Sequence, residues 1–431
     1  MLRALRHRNY RLFFGGQIVS LAGSWMTQIA MTWLVYRLTG SAWMLGVVAF
    51  SGQIPAFILG PFAGVMVDRW PRHRVLVVTQ ILAMLQSGAL AVLTLTHLIN
   101  VPLIIGLIIF QGLINAFDIP ARQAFVIEMV EDKDDLSNAI ALNSSMFNMA
   151  RLIGPAIGGV LIAIVGEGIC FSIDAVSYIA VIIALLMMRL QPVETKRKRG
   201  APLRELREGW AYVTQNAPIS SILILLAWVS LFGMSYGVMT PIMAAKVLGG
   251  GPNTLGSMMA FSGLGALSGA LVLAARPSIR GLGRNIPIFV GAFGLGLIGF
   301  GLSKTLWLTL PMLFIMGFAG MTQMASCNTI VQTIVEDDKR GRVMSFYAMA
   351  FMGMAPFGSL GAGALATRIG APHTLFIGGT LCLGAALWFA GRYPKLRDIV
   401  RPIYDQLGIA PAIAAGLEST TELQTPPLKS S

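Results

Sequence analysis

Charge is what this chain has least of. Only 12% of its 431 residues are Asp, Glu, Lys or Arg, against about 25% in soluble globular domains, which excludes an ordinary water-soluble fold. Cysteine is scarcer still. Cys170, Cys327 and Cys382 are scattered and odd in number, with neither metal-ligand spacing nor the count of a disulfide framework. They read as small apolar fillers. His7, His73, His97 and His373 fall near expected helix ends, so no metal site is expected. No nucleophile–base set, phosphate loop or metal cluster occurs, and neither an enzyme nor a cofactor is expected. Acids number 19 against 32 basic residues, and the net charge of +13 raises nucleic acid as a partner. The distribution of those charges decides otherwise.

What the chain has instead is apolar length: hydrophobic residues make up 55%. A helix of about 20 apolar residues spans a bilayer, so twelve spans need about 240 residues. They fall at about 11–36, 43–67, 75–97, 101–129, 137–165, 169–190, 217–245, 254–275, 286–303, 306–334, 343–367 and 372–392. An all-α integral membrane protein follows. No cleavable leader is expected, because the apolar run after Arg3, Arg6, Arg8 and Arg11 continues as the first span. If the chain starts inside, the outer loops hold only Arg37, Lys246, Lys304 and Arg368. That is the positive-inside distribution. It places both termini in the cytoplasm and makes nucleic acid unnecessary.

The organisation is a repeat. Between spans six and seven lies the basic run Lys196-Arg197-Lys198-Arg199, then Leu203, Leu206, Trp210 and Val213 at helical spacing. Such a stretch lies on the inner leaflet, tied there by its basic flank. It separates a bundle at 1–190 from one at 217–393, with a linker at 191–216 and a tail at 394–431. Shifting the chain by 205 residues maps Gly60-x-x-x-Gly64 onto Gly265-x-x-x-Gly269 and Gly112 onto Gly317. Val130-Glu131-Asp132 maps onto Val335-Glu336-Asp337, and Asp68 onto the uncharged Leu273. The tail is rich in Pro, Ser, Thr and Ala; Ile409 to Leu417 is apolar but too short to span, so a disordered or surface-lying tail is expected.

The densest charge cluster joins spans two and three: Gly64-Val65-Met66-Val67-Asp68-Arg69-Trp70-Pro71-Arg72-His73-Arg74. It resembles the signature loop of the major facilitator superfamily, Gly-x-(apolar)-x-Asp-Arg-x-Gly-Arg-(basic)-(basic). Gly64, Asp68, Arg69, Arg72, His73 and Arg74 fit it, while Pro71 replaces the usual Gly and stiffens the turn. The resemblance implies twelve helices in two parallel six-helix repeats, with a substrate site near the midplane between them. It also implies a gate. Asp68, Arg72 and an acid ending helix 4, here Glu128, would latch against the start of helix 11.

Helix 5 carries Gly154-Pro155-Ala156-Ile157-Gly158-Gly159. This resembles the Gly-Pro-x-x-Gly-Gly motif that the superfamily associates with antiporters. Its glycine surface is expected to face a small stripe of helix 8, Ser262, Ala266 and Ala270 beside Gly265 and Gly269. Packing of small residues alone would produce the same stripe. Two further stretches, Arg8 to Gln17 with Ser20 to Met26, and Ala116 to Ala124, look like the bacterial branch that includes the enterobactin exporter and macrolide-efflux proteins.

Four ionisable groups lie at membrane depth: Asp118, Arg122, Arg151 and Asp174. Each costs about 2.5–3.5 kcal/mol to insert. Asp118 and Arg122, four apart around Pro120, face the cavity or each other, and Asp118 is the expected proton carrier. A mutually neutralising structural pair is the equal alternative. Arg151 is a second partner or a contact for an anionic group. Asp174, nearer the outer end of its helix, reads as a structural hydrogen-bonding group. Gln17, Gln28, Asn115, Asn143, Asn148, Gln323 and Asn328 are candidate cavity residues, although such residues more often join helices. The 24 Met and 22 Phe suit a bulky, apolar, variable substrate.

The resemblance implies a monomeric bacterial inner-membrane exporter of an amphiphilic small molecule, a drug or siderophore, driven by protons. Its partners would be substrate, protons and membrane lipid. An importer or uniporter of the same fold is the first alternative, and a non-transporting sensor or scaffold the second.

Overall fold

A computed structural model describes residues 3–67, 69–130, 133–189, 202–276, 281–336 and 339–406. Among these, twelve helices are long and apolar enough to cross a membrane. Six precede the linker: α1 (Arg8–Thr39), α2 (Ala42–Val67), α3 (Arg72–Leu95), α4 (Val101–Met129), α5 (Lys133–Val165) and α6 (Glu167–Leu186). The amphipathic α7 (Pro202–Gln215) follows. The second six are α8 (Ala217–Val247), α9 (Pro252–Ala274), α10 (Leu282–Leu302), α11 (Leu306–Ile334), α12 (Arg340–Ile369) and α13 (Ala371–Gln406).

Turn chemistry sets the joints. Asn100 caps α4 by accepting from the Leu103 amide, with Pro102 in the first turn. Asn216 caps α8 in the same way through Ile219, followed by Pro218. Single glycines reverse the chain between α5 and α6 and between α12 and α13. Gly166 has φ 81° and ψ 173°; Gly370 has φ 84° and ψ 158°. That region is open essentially to glycine alone, so the same joint is made by the same means in each half.

The halves also pack alike. α2 lies against α4, α3 against α4 and α6, and α1 against α6. In the second half α9 lies against α11, α10 against α11 and α13, and α8 against α13. The matched glycines explain part of this symmetry. Gly112 approaches the Gly52 carbonyl of α2, and Gly317 approaches the Ser262 carbonyl of α9. No side chain fits at either point. Two further pairings, α5 with α9 and α2 with α12, join the halves and exchange under the repeat.

α13 corrects the expected boundary at 393. It continues to Gln406, because Leu396 and Val400 stay buried one turn apart and Ile403 and Tyr404 pack beside them. This apolar stripe outweighs Pro394 and Pro402, which lie inside the helix. The basic run at 196–199, Asp132, Asp337 and the tail from 407 lie outside the described residues.

Candidate functional site

The loop between α2 and α3 positions charge at the N-terminal face of the bundle. Arg72 opens α3, and its Nη1 donates to Glu128 Oε1 at 2.9 Å, so two of the expected gate residues meet across α3 and α4. Arg69 and Arg74 are exposed. His73 bonds the Leu185 carbonyl of α6 at 2.8 Å, and Trp70 stacks on Phe117. Asp68 and the surroundings of Gly64 lie outside the described residues. The start of α12, expected to meet this loop, is engaged by α7. Arg342 Nη1 donates to Glu208 at 2.9 Å, Trp210 lies against Phe346, and Lys339 sits 4.7 Å from the Tyr212 ring centre.

At the opposite face the halves are joined by glycine. A Cβ on Gly159 would lie 2.6 Å from the Gly256 Cα, and one on Gly363 would lie 3.1 Å from the Gly46 Cα. Backbone therefore meets backbone where α5 crosses α9 and α2 crosses α12. This corrects the expected role of the helix 5 motif. Gly159 faces α9, but Gly154 faces Trp25 and Gly158 faces Met26, both on α1. The reason is angular: Gly154 and Gly158 are one turn apart on one face, and Gly159 lies about 100° further round. On α9 the partner is Gly256, whereas Gly265 and Gly269 face Phe314 and Phe318 of α11. Pro155 is buried beside them.

The charges at depth separate into three environments. Asp118, 2% exposed, is paired with Arg122. It also accepts from Thr79 Oγ1 and Gln80 Nε2 of α3, each at 2.8 Å. Thr79 further lines an apolar groove of about 450 Å³ between α3 and α4, with Trp70 and Arg74 at its rim. Arg151 lies over the Trp25 ring at 5.9 Å and has no carboxylate partner among the described residues. Asp174, 1% exposed, bonds no cation among the described residues. Ser87 Oγ donates to it at 2.8 Å and Ser24 Oγ at 3.4 Å, and Ser24 Oγ is also 3.2 Å from the Tyr178 hydroxyl.

The polar residues divide too. Gln28 is exposed, while Asn115, Asn143 and Asn328 are half-buried. Gln111 donates to Asn115 at 3.1 Å, and Gln332 donates to Asn328. Gln17 and Gln323, each 2% exposed, are corrections: close helix packing encloses them, so neither lines an open cavity here. The Asn148 side chain lies outside the described residues. Sequence reasoning missed the Ser24–Ser87–Tyr178 nest, whose serines look like ordinary packing residues. It also missed the pair of Arg37 and Glu167, which joins the end of α1 to the start of α6 at 2.9 Å.

Two six-helix bundles with charge at one face and glycine contacts at the other define a membrane transporter of the major facilitator type. The chain belongs to the transmembrane secretion effector family, MFS_3, whose family model matches residues 1–402. It is 27% identical over 394 residues to the staphyloferrin A transporter of Staphylococcus aureus, covering 90% of this chain and 97% of that one. Macrolide efflux protein A of Streptococcus pyogenes is 22% identical, covering 89% and 96%. The multidrug efflux pump Tap of Mycolicibacterium fortuitum is 27% identical, covering 88% and 94%. Among solved structures, nucleoside transporter NupG superposes with a TM-score of 0.66 at 15% identity, over 90% of this chain and 99% of that one. A bacterial homologue of the lysosomal transporter Spinster gives 0.63 at 14% identity, over 93% and 98%.

Proposed function

We propose that this transporter exports an amphiphilic small molecule, a drug or a siderophore, from the bacterial cytoplasm by proton antiport and alternating access. The observation that carries the reading is the glycine seam between the halves. Contacts of backbone on backbone, at Gly159–Gly256 and Gly46–Gly363, close one end, with Phe50 and Phe57 of α2 set edge-on to Phe357 of α12 beside them, and this end is where the halves part. The positive-inside distribution assigns that sealed end to the periplasm and both termini to the cytoplasm. The relatives support the direction and substrate class: one carries a siderophore in its name, two carry efflux. Bulky apolar cargo suits a chain with 24 Met and 22 Phe, with Arg151 over Trp25 offering a cationic and aromatic contact. One chain supplies both walls, and a monomer suffices.

Asp68, with Arg72 and Glu128, is the proposed latch of the opposite, cytoplasmic end. The latch closes when the glycine seam opens. The test is erythromycin accumulation by a deletion strain and an over-expressing strain, with and without a protonophore. The over-expressing strain accumulates less, and the protonophore abolishes the difference. Equal accumulation in both strains overturns export of this class, and higher accumulation on over-expression favours the importer.

A further inference from the structure

Among the described residues, Asp174 is held by hydroxyl groups alone. Ser24 and Thr27 approach from α1, Ser87 from α3, and Tyr178 stands behind Ser24. The buried Thr27 hydroxyl makes no hydrogen bond among the described residues. Gln86 of α3 donates instead to the Leu107 carbonyl, and Ser177 to the Asp174 carbonyl. Beyond Tyr178 lie Asp118 and Arg122 of α4, already joined to each other. Glu167, the remaining acid on α6, is occupied by Arg37. No charge among the described residues offsets a carboxylate at Asp174, and a lone charge at membrane depth is costly.

Hydroxyls, unlike amide nitrogens and guanidinium groups, both donate and accept. When Asp174 is ionised, Tyr178 donates to Ser24, and Ser24 and Ser87 donate to the carboxylate. When a proton adds at Oδ2, the carboxylic acid O–H donates to Ser87, which turns to donate to Gln86 Oε1 at 3.4 Å, while Ser24 still donates to Oδ1. Both protonation states are satisfied by rotating hydroxyls, with no heavy atom displaced. Asp118 has one such hydroxyl, Thr79, but its other partners, Gln80 Nε2 and Arg122, only donate, and a proton there would break the ion pair.

The nest is also connected to the seam. A Cβ on Gly23 would lie 2.9 Å from Asp174 Oδ1, so α1 approaches the carboxyl at a glycine. The next residues, Ser24, Trp25 and Met26, bond Asp174, face Gly154 and face Gly158 in turn. Gly159 then abuts Gly256 of the other half. We propose that Asp174 binds the coupling proton and that α1 carries its protonation state to the seam between α5 and α9. The inference rests on the proton-antiport reading and names its site.

The experiment has two arms. Infrared difference spectra of the purified protein between acidic and alkaline pH report the carbonyl band of a protonated carboxyl without any substrate. The band is present in wild type, absent in Asp174→Asn and retained in Asp118→Asn. Ser24→Ala and Ser87→Ala shift its frequency without removing it, and they stand in should Asp174→Asn fold poorly. A band that survives in Asp174→Asn, or stays unshifted in both serine variants, overturns the site and leaves antiport standing. The second arm measures erythromycin accumulation in inverted membrane vesicles. Wild type loses accumulation with a protonophore, and Asp174→Asn only equilibrates. If the band behaves as stated but wild-type accumulation ignores the protonophore, the antiport reading falls, and with it the coupling role of Asp174.

Discussion

Asp118 and Asp174 are both carboxyls buried within the same six-helix bundle, yet their surroundings give them opposite chemistry. Asp118 is met by a guanidinium, an amide and a hydroxyl across α3 and α4, and that set fits the ionised form. Asp174 is met by hydroxyls across α1, α3 and α6, and that set fits either form. A buried acid is therefore not by itself a proton site; what its neighbours can accept decides. The first acid ties two helices together, whereas the second lies one residue from the helix surface that reaches the seam.

The comparison breaks most readily at Asp118. Asp118→Asn strands the Arg122 charge, and breaking a buried pair costs about 3–5 kcal/mol; the low end applies because Arg122 is 26% exposed. Thermal unfolding in detergent should show the loss, with most of it recovered in the double variant Asp118→Asn with Arg122→Gln. A stable Asp118→Asn protein that has lost only proton coupling would reverse the roles of the two acids.

The seam comes next. Gly159→Leu forces a side chain against the Gly256 backbone, an overpacking cost of about 1–3 kcal/mol borne by the sealed state, which is about a 5- to 150-fold shift in population. Labelling of Ser359→Cys, a position buried in the sealed state, by a water-soluble thiol reagent reads it as faster modification. Gly158→Leu presses on Met26 within one half instead, and should lower stability while leaving the labelling rate unchanged. Equal rates in the two backgrounds would detach Gly159 from the seam.

A smaller effect on folding is expected at the opposite end. Asp68→Asn should lower transport strongly with expression near wild type, because the proposed latch serves one state. The smallest effect belongs to the α7 contact. Arg342→Ala removes a largely solvated pair with Glu208, worth about 0–1 kcal/mol, and melting should hardly move. A large loss there would make α7 a structural strut rather than a surface helix.

The sequence revealed some of this and concealed the rest for physical reasons. Twelve spans were legible because apolar length has no substitute in a bilayer. The correspondence of Gly112 with Gly317 was legible because close backbone approach tolerates no other residue. Arg72 with Glu128, and Asp118 with Arg122, were legible as opposite charges within reach. The hydroxyl nest was not, since Ser24 and Ser87 are indistinguishable in sequence from small packing residues on any membrane helix. The face of Gly158 was misjudged because adjacent positions on a helix point about 100° apart, and only the packed structure says which one meets a partner. Residues 394–406 read as tail because the stretch to 431 is rich in Pro, Ser, Thr and Ala, which hid the short stripe of Leu396, Val400 and Ile403.

The most direct test uses proteoliposomes with an imposed pH gradient and erythromycin as probe, comparing wild type with Asp174→Asn in both gradient-driven accumulation and exchange without a gradient. The account predicts that both proteins exchange erythromycin at similar rates and that only wild type concentrates it against the gradient. Concentrative, gradient-dependent transport by Asp174→Asn at the wild-type level would contradict it.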